Sequence, residues 1–321
     1  MAGTTTSGPT RALIVANPVS GSHSSELVRD VERICASHLE RVAVHLTTGP
    51  HDAEAAVRRA LRRPVHGDGT ARAPFDLVVA VGGDGTVREV AQGLVAGGGG
   101  AALAIVPSGT GNSSYRMLWE DRPWEAALSA VLQGARGGAE RRRLDLAELR
   151  ESGNFVFLGA CAGVIAEALL TARRLPLHGR SRYARAYAET AGTYTPYPGR
   201  VTVDGHVLHE GPTTLANVGG GRYRGGQYLV LPHSRLDDGL LDICVVGAGL
   251  PVRELPELTR TGAHLGHPAT TYGRGEHIVV ERLDGKPLPL EHDGEYQESI
   301  GGRATFLACA GLLPVWVPVA G

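Results

Sequence analysis

Lysine is nearly missing from this sequence of 321 residues: Lys286 is the only one, and every other basic residue except histidine is arginine. The chain therefore has no Gly-x-x-x-x-Gly-Lys-Ser/Thr motif, which excludes a Walker-type phosphate loop. The phosphate-binding lysine of a protein kinase is excluded as well, because the N-terminal half has no lysine. No Gly-x-Gly-x-x-Gly loop follows a predicted strand, which disfavours a Rossmann dehydrogenase. Any bound phosphate must be held by backbone N–H groups, arginine and a metal ion.

Aromatic residues make up only 5% of the chain, and the formal net charge is −1, with 32 basic against 33 acidic residues. A balanced charge provides no field that attracts nucleic acid, and few aromatic rings are available for base stacking, so we expect no nucleic-acid partner. No apolar stretch approaches the roughly 20 residues that span a bilayer. Residues 1–10 are rich in Thr, Ser and Gly without an apolar core, so we expect a frayed tail there and no signal peptide.

Cysteine is scarce too, and the four cysteines have no metal-like spacing. They lie in mostly apolar surroundings at Cys35, Cys161, Cys244 and Cys309. This pattern favours buried free thiols in a reducing compartment, so we expect a cytoplasmic protein.

The most informative segment present is an apolar, β-branched run, residues 75–81, that breaks into Gly-Gly-Asp-Gly-Thr at 82–86. It predicts a buried strand, a tight loop and a helix from Val87. Glycines let a backbone approach a ligand closely, and N–H groups at a helix start attract anions. Asp84 would repel phosphate unless it bonds a ribose, a metal ion or a neighbouring donor. The segment predicts a phosphate cradle with Mg²⁺ nearby; glycines that merely mark a sharp turn are the alternative.

The length suggests two domains. Residues 11–143 alternate strand and helix patterns, which predicts a parallel sheet covered by helices. Short strands follow from about residue 144, interrupted by one helical stretch at Glu167–Thr190, which predicts a mainly antiparallel second domain. We therefore expect domains at 10–143 and 144–321, with a tail, 310–321, that can return to the first domain.

The expected elements follow from these patterns. In the first domain the strands are Ala12–Ala16, Arg41–Leu46, Leu77–Val81 and Leu103–Val106, and the helices are Ser24–His38, Asp52–Arg63, Val87–Ala96, Ser113–Leu118 and Trp124–Gln133. In the second domain the strands are Asp145–Leu149, Asn154–Cys161, Arg200–Val203, Thr213–Val218, Gln227–Leu231, Leu241–Val246, His277–Arg282 and Ala304–Ala308.

Six short motifs occur in a fixed order along the chain: Asn17-Pro18-Val19-Ser20-Gly21, residues 46–53, residues 82–90, Pro107-Ser108-Gly109-Thr110-Gly111-Asn112, residues 236–242 and Asp293-Gly294-Glu295. In this order they resemble the diacylglycerol kinase catalytic family, which includes bacterial lipid kinases and sphingosine kinases and, more distantly, NAD kinases. The resemblance covers nearly the whole chain. It implies an N-terminal α/β nucleotide-binding domain with a parallel sheet, a C-terminal, mainly antiparallel β-sandwich domain, and a site in the cleft between them.

The resemblance also implies that ATP and Mg²⁺ are the cofactors and assigns residues to them. The nucleotide residues are Asn17, Pro18, Ser20, Gly21, Thr47, Gly82, Gly83, Asp84, Gly85, Thr86, Glu89, Gly109, Thr110 and Asn112. Ser20 and Gly21 would offer N–H groups to phosphate. A structural Mg²⁺ is implied at the side chain of Asp238 with the carbonyl oxygens of Arg235 and Leu240; a solvated turn before a strand is the alternative reading.

Asp293-Gly294-Glu295 is the acid–base candidate. By resemblance Glu295 takes the proton of the acceptor hydroxyl and Asp293 is its partner, while Gly294 permits the tight turn. Asp-Gly is also an ordinary hairpin turn, so only the family resemblance distinguishes this pair from the similar pairs at 68–69, 204–205 and 284–285.

Three positions depart from the family pattern. Ser22-His23 follows the first loop where a basic residue is usual, Ser113 replaces an aspartate, and Ile165 stands where many relatives have an aspartate. We expect Ile165 to be a plain core residue. The losses at 113 and 165 put a standard lipid substrate in doubt more than the nucleotide site.

The resulting hypothesis is an ATP-dependent kinase acting on a hydroxyl group of a lipid such as diacylglycerol or a sphingoid base. A kinase for a soluble alcohol, and a catalytically inactive nucleotide-binding regulator, are the alternatives. A cluster of Arg173, Arg174, Arg180, Arg182 and Arg185 is compatible with peripheral membrane contact at anionic headgroups, and equally with a solvated helix face. Assembly as a homodimer is also compatible with this sequence.

Overall fold

The computed structural model describes residues 7–21, 25–62, 74–98 and 100–319. Ser22, His23 and the predicted helix start at Ser24 lie outside the described residues, as do Arg63 and most of the segment that leads to the Gly-rich strand. The chain divides into two compact units, one formed by Met1–Leu144 with Gly311–Gly321 and the other by Asp145–Ala310. The last strand, Arg303–Pro318, therefore begins in the second unit and ends in the first.

The first unit alternates strands and helices. Its elements are β1 Arg11–Ala16, α1 Ser25–Ala36, β2 Arg41–Leu46, α2 Asp52–Leu61, β3 Leu77–Gly82, α3 Asp84–Ala96, β4 Ala102–Pro107, α4 Ser113–Trp119 and α5 Trp124–Gln133. The strands pair in parallel in the order β4-β3-β1-β2. Every residue of β3 is buried, as expected for a central parallel strand that is covered on both faces. The turns at the carboxyl ends of these strands consequently share one edge of the sheet.

The transition from β3 to α3 is tighter than the sequence predicted. The predicted loop at 82–86 is reduced to Gly83, because the strand includes Gly82 and the helix already begins at Asp84. A carboxylate in the first turn is favourable there, since it faces the positive end of the helix dipole. The Gly-Asp-Gly-Thr segment is thus largely a helix start.

The second unit is built mainly of antiparallel strands. With the strand that crosses from the first unit, its elements are β5 Ala139–Leu149, β6 Asn154–Val156, β7 Ala160–Gly163, α6 Val164–Arg174, α7 Gly179–Thr193, β8 Tyr197–Val203, β9 His206–Gly219, β10 Tyr223–Arg224, β11 Tyr228–Leu229, β12 Leu241–Gly247, α8 Leu255–Thr261, β13 Thr270–Gly275, β14 His277–Arg282, β15 Leu290–His292, β16 Glu295–Tyr296 and β17 Arg303–Pro318. One antiparallel path runs β16-β15-β7-β9-β8-β14, and β12 pairs with both β9 and β13.

The predicted fold class is confirmed: a parallel α/β part precedes a mainly antiparallel one. Several element boundaries were wrong. The predicted helix Glu167–Thr190 is two helices, separated near Pro176, which has no N–H group to continue the helical bonding. The predicted strand Asn154–Cys161 is interrupted near Gly159, whose φ of +148° suits glycine.

The second unit has two apolar clusters. One includes Leu149, Ile243 and Phe306, and the other includes Cys161, Val164 and Cys244. Cys35 is buried as expected, whereas Cys309 is only half-buried. Within the described residues, the helices are all too short or too polar to cross a membrane.

Candidate functional site

Side chains from three turns of the first unit meet where β1, β3 and β4 end. The Nδ2 atom of Asn17 donates to Oγ1 of Thr86 at 3.3 Å. The hydroxyl of Ser20 lies 2.7 Å from the hydroxyl of Ser108. The structure therefore brings the first, third and fourth sequence motifs together.

The closest contacts between these turns are made at their glycines. A Cβ atom at position 83 would lie 3.1 Å from the Cα atom of Gly109, and one at position 21 would lie 3.2 Å from Oγ1 of Thr110. At Gly82, a Cβ would overlap the side chain of Thr86. A Cβ at Gly85, in contrast, has no atom within 4 Å apart from its chain neighbours and the backbone of its own helix. The turns thus pack backbone to backbone, while Gly85 faces open space at the start of α3.

Asp84 bonds a neighbouring donor, one of the alternatives that the sequence left open. Its carboxylate accepts the N–H groups of Ser113 and Ser114 at 3.1 and 2.8 Å, and the Ser114 hydroxyl at 2.8 Å. Glu89 plays the same part for another helix, accepting the N–H groups of His51 and Ala53 at 2.9 and 3.2 Å. Both carboxylates therefore cap helix starts, which satisfies N–H groups and offsets the charge that would repel phosphate.

Other predicted nucleotide residues also hold the turns in shape. The Asn112 side chain accepts the Gly109 N–H and donates to the Gly109 carbonyl, both at 2.9 Å. Thr47 extends the β2 pairing through its N–H bond to Ala16. Pro18 lies in the turn in which the Ser20 N–H donates to the Asn17 carbonyl at 3.3 Å, a bond not foreseen for a phosphate donor.

Ser108 and Ser114 are residues that the sequence reasoning did not single out. Both are fully buried, one against Ser20 and the other against Asp84. Ser108 precedes Gly109 within the fourth motif, so its position in a glycine turn was visible in the sequence. The contact with Asp84 joins residues 30 positions apart and left no local signal.

The predicted cation site at Asp238 holds a guanidinium in this structure. One carboxylate oxygen of Asp238 pairs with Arg274, and the other accepts the Leu240 N–H at 3.2 Å. Arg274 also lies 3.3 Å from Asp242, whose side chain is fully buried. No cluster of three or more His, Cys, Asp or Glu side chains among the described residues is placed to hold a metal ion. The carboxylate of Asp238 is therefore engaged by Arg274, and a metal ion would have to displace that guanidinium to bind there.

Asp293 is a buried anchor for the turn that it begins. Its carboxylate accepts the N–H groups of Phe157, Leu158 and Gly159 at 2.9, 2.7 and 3.2 Å. Burial raises the pKa of Asp293, but His292 and these backbone donors outweigh it, so the pKa lies below its usual value. Asp293 also adopts a φ of +50°. These contacts engage both carboxylate oxygens, so Asp293 holds the turn in place and Glu295 is left as the candidate base.

Glu295 lies on β16, exposed to solvent, and its neighbour Tyr296 borders a pocket of the second unit. The pocket has a volume of about 480 Å³ and lies beside α6 and α7. Its wall includes Glu167, Thr171, Arg174, Arg282, Pro289 and Tyr296. Burial raises the pKa of Glu167, while Arg282 opposes this effect. The turn that carries Glu295 therefore adjoins a polar pocket of small-molecule size.

A buried polar cluster behind this turn was missed by the sequence analysis. Glu291 is 3% exposed, and its Oε2 atom accepts the Gly294 N–H at 2.9 Å. Its strand neighbours are Cys161 on β7 and, one strand further, Asn217 on β9. Arg224 donates to Oδ1 of Asn217 at 3.0 Å. The signal available in the sequence was weak: two polar residues, Glu291 and His292, at the end of an apolar strand pattern.

The departures from the family pattern take ordinary structural roles. Ser113 is buried and donates its N–H to Asp84, and Ile165 packs half-buried against the cluster around Val164. In the arginine cluster, Arg173 pairs with Glu298 and Arg185 with Glu189.

Comparison with known proteins found two family models that match successive parts of the chain. Residues 11–141 match the family described as "Diacylglycerol kinase catalytic domain", and residues 159–315 match the one described as "YegS C-terminal NAD kinase beta sandwich-like domain". A protein named "Diacylglycerol kinase" from Mycobacterium tuberculosis is 32% identical over 208 residues, which cover 59% of this chain and 65% of that protein. A protein named "Probable lipid kinase YegS-like" from Chromohalobacter salexigens is 30% identical over 199 residues, or 60% of each chain.

The chain thus aligns with less than two thirds of the length of these relatives. A crystal structure of a diacylglycerol kinase from Bacillus anthracis superposes with a TM-score of 0.68 at 21% identity, covering 96% of both chains. At this identity the superposition establishes a shared fold.

Proposed function

Because the chain belongs to the diacylglycerol kinase catalytic family, we propose that it is a phosphotransferase that moves the γ-phosphate of ATP to a hydroxyl group of a lipid such as diacylglycerol or a sphingoid base. The observation that carries this proposal is the backbone contact of Gly83 with Gly109 at the carboxyl ends of β3 and β4. In parallel sheets, ligands bind at this edge. Two helix starts, those of α3 and α4, adjoin the same contact.

The nucleotide phosphates fit this edge for an electrostatic reason. With Asp84 and Glu89 engaged by the α4 and α2 N–H groups, the groups that the turns can offer to phosphate are mainly neutral backbone N–H donors. Such donors, together with the positive ends of helix dipoles, bind anions without lysine. The open space next to Gly85 is where we place a phosphate group.

Mg²⁺ bound to the ATP phosphates would supply charge neutralisation during transfer. Among the predicted nucleotide residues, the carboxylates of Asp84 and Glu89 both accept N–H groups of helix starts, so we assign no protein ligand to the ion. The structural cation proposed at Asp238 would compete with Arg274 and is a separate question.

Glu295 is the group that we propose accepts the proton of the acceptor hydroxyl. It is an exposed carboxylate on a turn that Asp293 anchors through three buried hydrogen bonds, so its backbone is well fixed. Removing the proton makes the acceptor oxygen a better nucleophile towards phosphorus, and the leaving oxygen departs with ADP. The polar pocket beside Tyr296 is then suited to hold the part of the acceptor around its hydroxyl group.

Contact with a lipid surface is supported by the segment that joins α6 and α7. Leu177 and Tyr183 are 38% and 49% exposed, and Arg174 and Arg180 lie exposed near them. Apolar side chains that insert between headgroups, with arginines beside them, are typical of peripheral membrane contacts.

A water-soluble alcohol is the second acceptor class, and the lining of the pocket favours it. The charged groups of Glu167, Arg174 and Arg282 would be costly to cover with an acyl chain, whereas they could bond a polyhydroxylated compound. A lipid acceptor would therefore place only its polar head in this pocket.

One experiment separates these possibilities. Purified protein is incubated with γ-labelled ATP and Mg²⁺ and with diacylglycerol, sphingoid bases or ceramide in mixed micelles, or with soluble alcohols. We expect label in a lipid product that depends on Glu295. Label only in a soluble product would support the second class, and ATP binding without transfer to any acceptor would indicate a regulator.

A further inference from the structure

We propose that Glu291 is the positioning residue of the catalytic turn. Its side chain accepts the Gly294 N–H and thereby positions the backbone next to Glu295, and the strength of this hydrogen bond changes when Glu291 gains or loses a proton. The hydrogen bond from Gly294 to Oε2 of Glu291 measures 2.9 Å. Gly294 lies between the anchored Asp293 and the exposed Glu295, so this bond acts directly on the backbone that carries the proposed base. The positioning role rests on the proposed function, whereas the protonation of Glu291 does not.

The surroundings of Glu291 are unusual for a carboxyl group. Its residue is 3% exposed, and its second oxygen, Oε1, has no hydrogen-bond partner among the residues that the structure describes. Cys161 lies between Glu291 and Asn217 in the register of three adjacent strands. The Nδ2 atom of Asn217 likewise lacks a hydrogen-bond partner within the described part of the chain. A neutral carboxyl group is much less costly in such a place than a carboxylate.

Charged and titratable groups lie around Glu291 on several of the elements packed against it, and Tyr296 on β16 is its partner in the strand register. Arg224 comes from β10, Cys161 from β7, and His292 and Asp293 from its own hairpin. Helix α6 also packs against β15 and β16, but its Glu167 interacts with Arg282, Tyr194 and Tyr296 instead. Burial is the dominant influence and raises the pKa of Glu291 to about 7; Arg224 and the Gly294 N–H oppose it. The carboxyl group therefore changes charge near neutral pH.

The charge of Glu291 has two consequences for the turn. A carboxylate accepts the Gly294 N–H more strongly than a neutral carboxyl group does, so ionisation tightens the bond. It also adds negative charge behind Glu295, which makes that residue a better proton acceptor. We therefore expect turnover to rise as the pH increases through 7, because Glu291 becomes ionised over that range.

The protonation can be observed without any acceptor. Labelling with [1-¹³C]aspartate and [¹⁵N]glycine leaves carbonyl–amide cross-peaks only for the six Asp-Gly pairs of this sequence, at 68–69, 84–85, 204–205, 238–239, 284–285 and 293–294. The Gly294 peak is assigned by its loss in Gly294→Ala. We expect it to shift with a midpoint near pH 7 in wild type, as the pKa of Glu291 requires, and to stay still in Glu291→Gln. A titration that persists in Glu291→Gln, or a wild-type peak that does not move, overturns the assignment.

Positioning is tested by Glu291→Ala against Glu291→Gln. Gln keeps an acceptor for the Gly294 N–H, whereas Ala removes it, so the Gly294 peak should move far in Ala and little in Gln. Turnover with ATP and dioctanoylglycerol micelles should fall about 10²-fold in Ala, because a small misplacement can cost that much, and should be largely rescued by Gln without the inflection near neutral pH. Glu257→Gln, at an exposed side chain of α8, is the control for the loss of one carboxylate.

The outcomes remain distinguishable. A wild type that is inactive on the lipid contradicts the proposed acceptor, while the Gly294 peak still decides the role of Glu291. An Ala variant with an unmoved Gly294 peak, or with wild-type turnover, overturns the positioning role even if Glu291 titrates near neutral pH.

Discussion

Gly83 and Gly109 lie backbone to backbone, with room for a side chain at neither position: a Cβ at 83 would be 3.1 Å from the Cα of Gly109, and a Cβ at 109 would come closer still to Gly83. The two residues lie in the turns that follow β3 and β4, neighbouring strands of the parallel sheet, and precede α3 and α4. Their contact brings two helix starts together, which concentrates the positive ends of two helix dipoles at one place. An anion is the natural complement to such an arrangement.

Gly85→Ala isolates the ligand contact from the fold. A Cβ there meets no atom within 4 Å apart from its chain neighbours and the backbone of its own helix, so we expect stability to stay unchanged or rise by up to about 1 kcal/mol, as for glycine replacements within helices. If a phosphate occupies that space, ATP affinity should fall about tenfold, or roughly 1.4 kcal/mol. Calorimetry with ATP and a thermal melt give both values. Gly192→Ala, in open space on α7, is the control and should leave ATP affinity unaltered. Equal affinities in both variants would count against phosphate binding at α3.

Asp84→Ala should destabilise the first unit. It removes the acceptor of the Ser113 and Ser114 N–H groups and of the Ser114 hydroxyl. Bonds to a charged group contribute about 1.5–3 kcal/mol each, but these three share one carboxylate and are only partly buried, so we expect a total loss of at least about 3 kcal/mol in the free energy of unfolding. Urea denaturation measures it. Asp30→Ala, at an exposed ion pair, should change stability by less than about 0.5 kcal/mol. A stability loss no greater than that of Asp30→Ala would mean that Asp84 serves the ligand and not the helix.

Glu295→Gln and Asp293→Asn should fail in different ways. Loss of a general base typically lowers turnover by about 10²–10⁴-fold, so Glu295→Gln should be a nearly inactive protein with normal stability and ATP affinity. In Asp293→Asn, asparagine tolerates the left-handed φ of +50°, but its neutral amide is a weaker acceptor for the N–H groups of residues 157–159. The melting temperature of this variant should therefore fall. Asp293→Ala should cost about 3–5 kcal/mol, since each buried N–H left without an acceptor costs about 1–3 kcal/mol. Near wild-type turnover in Glu295→Gln would move the base elsewhere.

Competition between Mg²⁺ and Arg274 tests the cation site. A ligand that binds only the native state stabilises it by mass action, by about 2.7 kcal/mol at 100 times its dissociation constant. If a cation binds at Asp238, Arg274→Gln should increase the stabilisation by Mg²⁺, because the competing guanidinium is gone, and Asp238→Asn should abolish it. Thermal melts with and without Mg²⁺ give the comparison. A shift that is the same in wild type and both variants would exclude the site.

The pKa of Glu291 predicts a stability difference with a definite sign. Its value in the folded protein, about 7, is raised above the ordinary 4.5, so the native state binds an extra proton between these values. The stability that this proton contributes is present at low pH and is lost as the pH rises through 7, by up to about tenfold in the folding equilibrium constant per pH unit. Relative to wild type, Glu291→Gln should therefore be more stable at pH 8.5 than at pH 5.5. Thermal melts of both proteins at the two pH values measure the difference in stability between Glu291→Gln and wild type. A difference that is the same at both pH values would contradict the prediction.

The sequence determined the first unit well because its signals are local. The apolar runs before Asn17, Gly82 and Ser108 predict buried strands, and glycine directly after a strand predicts a turn wherever the chain folds. The order of the motifs was sufficient to indicate the family. The second unit was predicted less well, since its short strands are defined by partners: Leu290–His292 pairs with Ala160–Gly163, and neither segment is long enough to show a periodicity of its own.

What each carboxylate does was decided only by the tertiary structure. Asp84, Glu89 and Asp238 were predicted to bind a nucleotide or a metal ion, and Asp293 was predicted to be the catalytic partner of Glu295. Each carboxylate is engaged by donors of the protein itself. Asp293 accepts the Leu158 N–H from 135 residues away, and Glu291 lies opposite Cys161 of β7, a strand that precedes it by more than a hundred residues. A charged side chain is held by whichever donors the fold brings within about 3 Å, and its burial sets its pKa. Residue type and spacing fix neither quantity, because both depend on segments that meet only after the chain has folded.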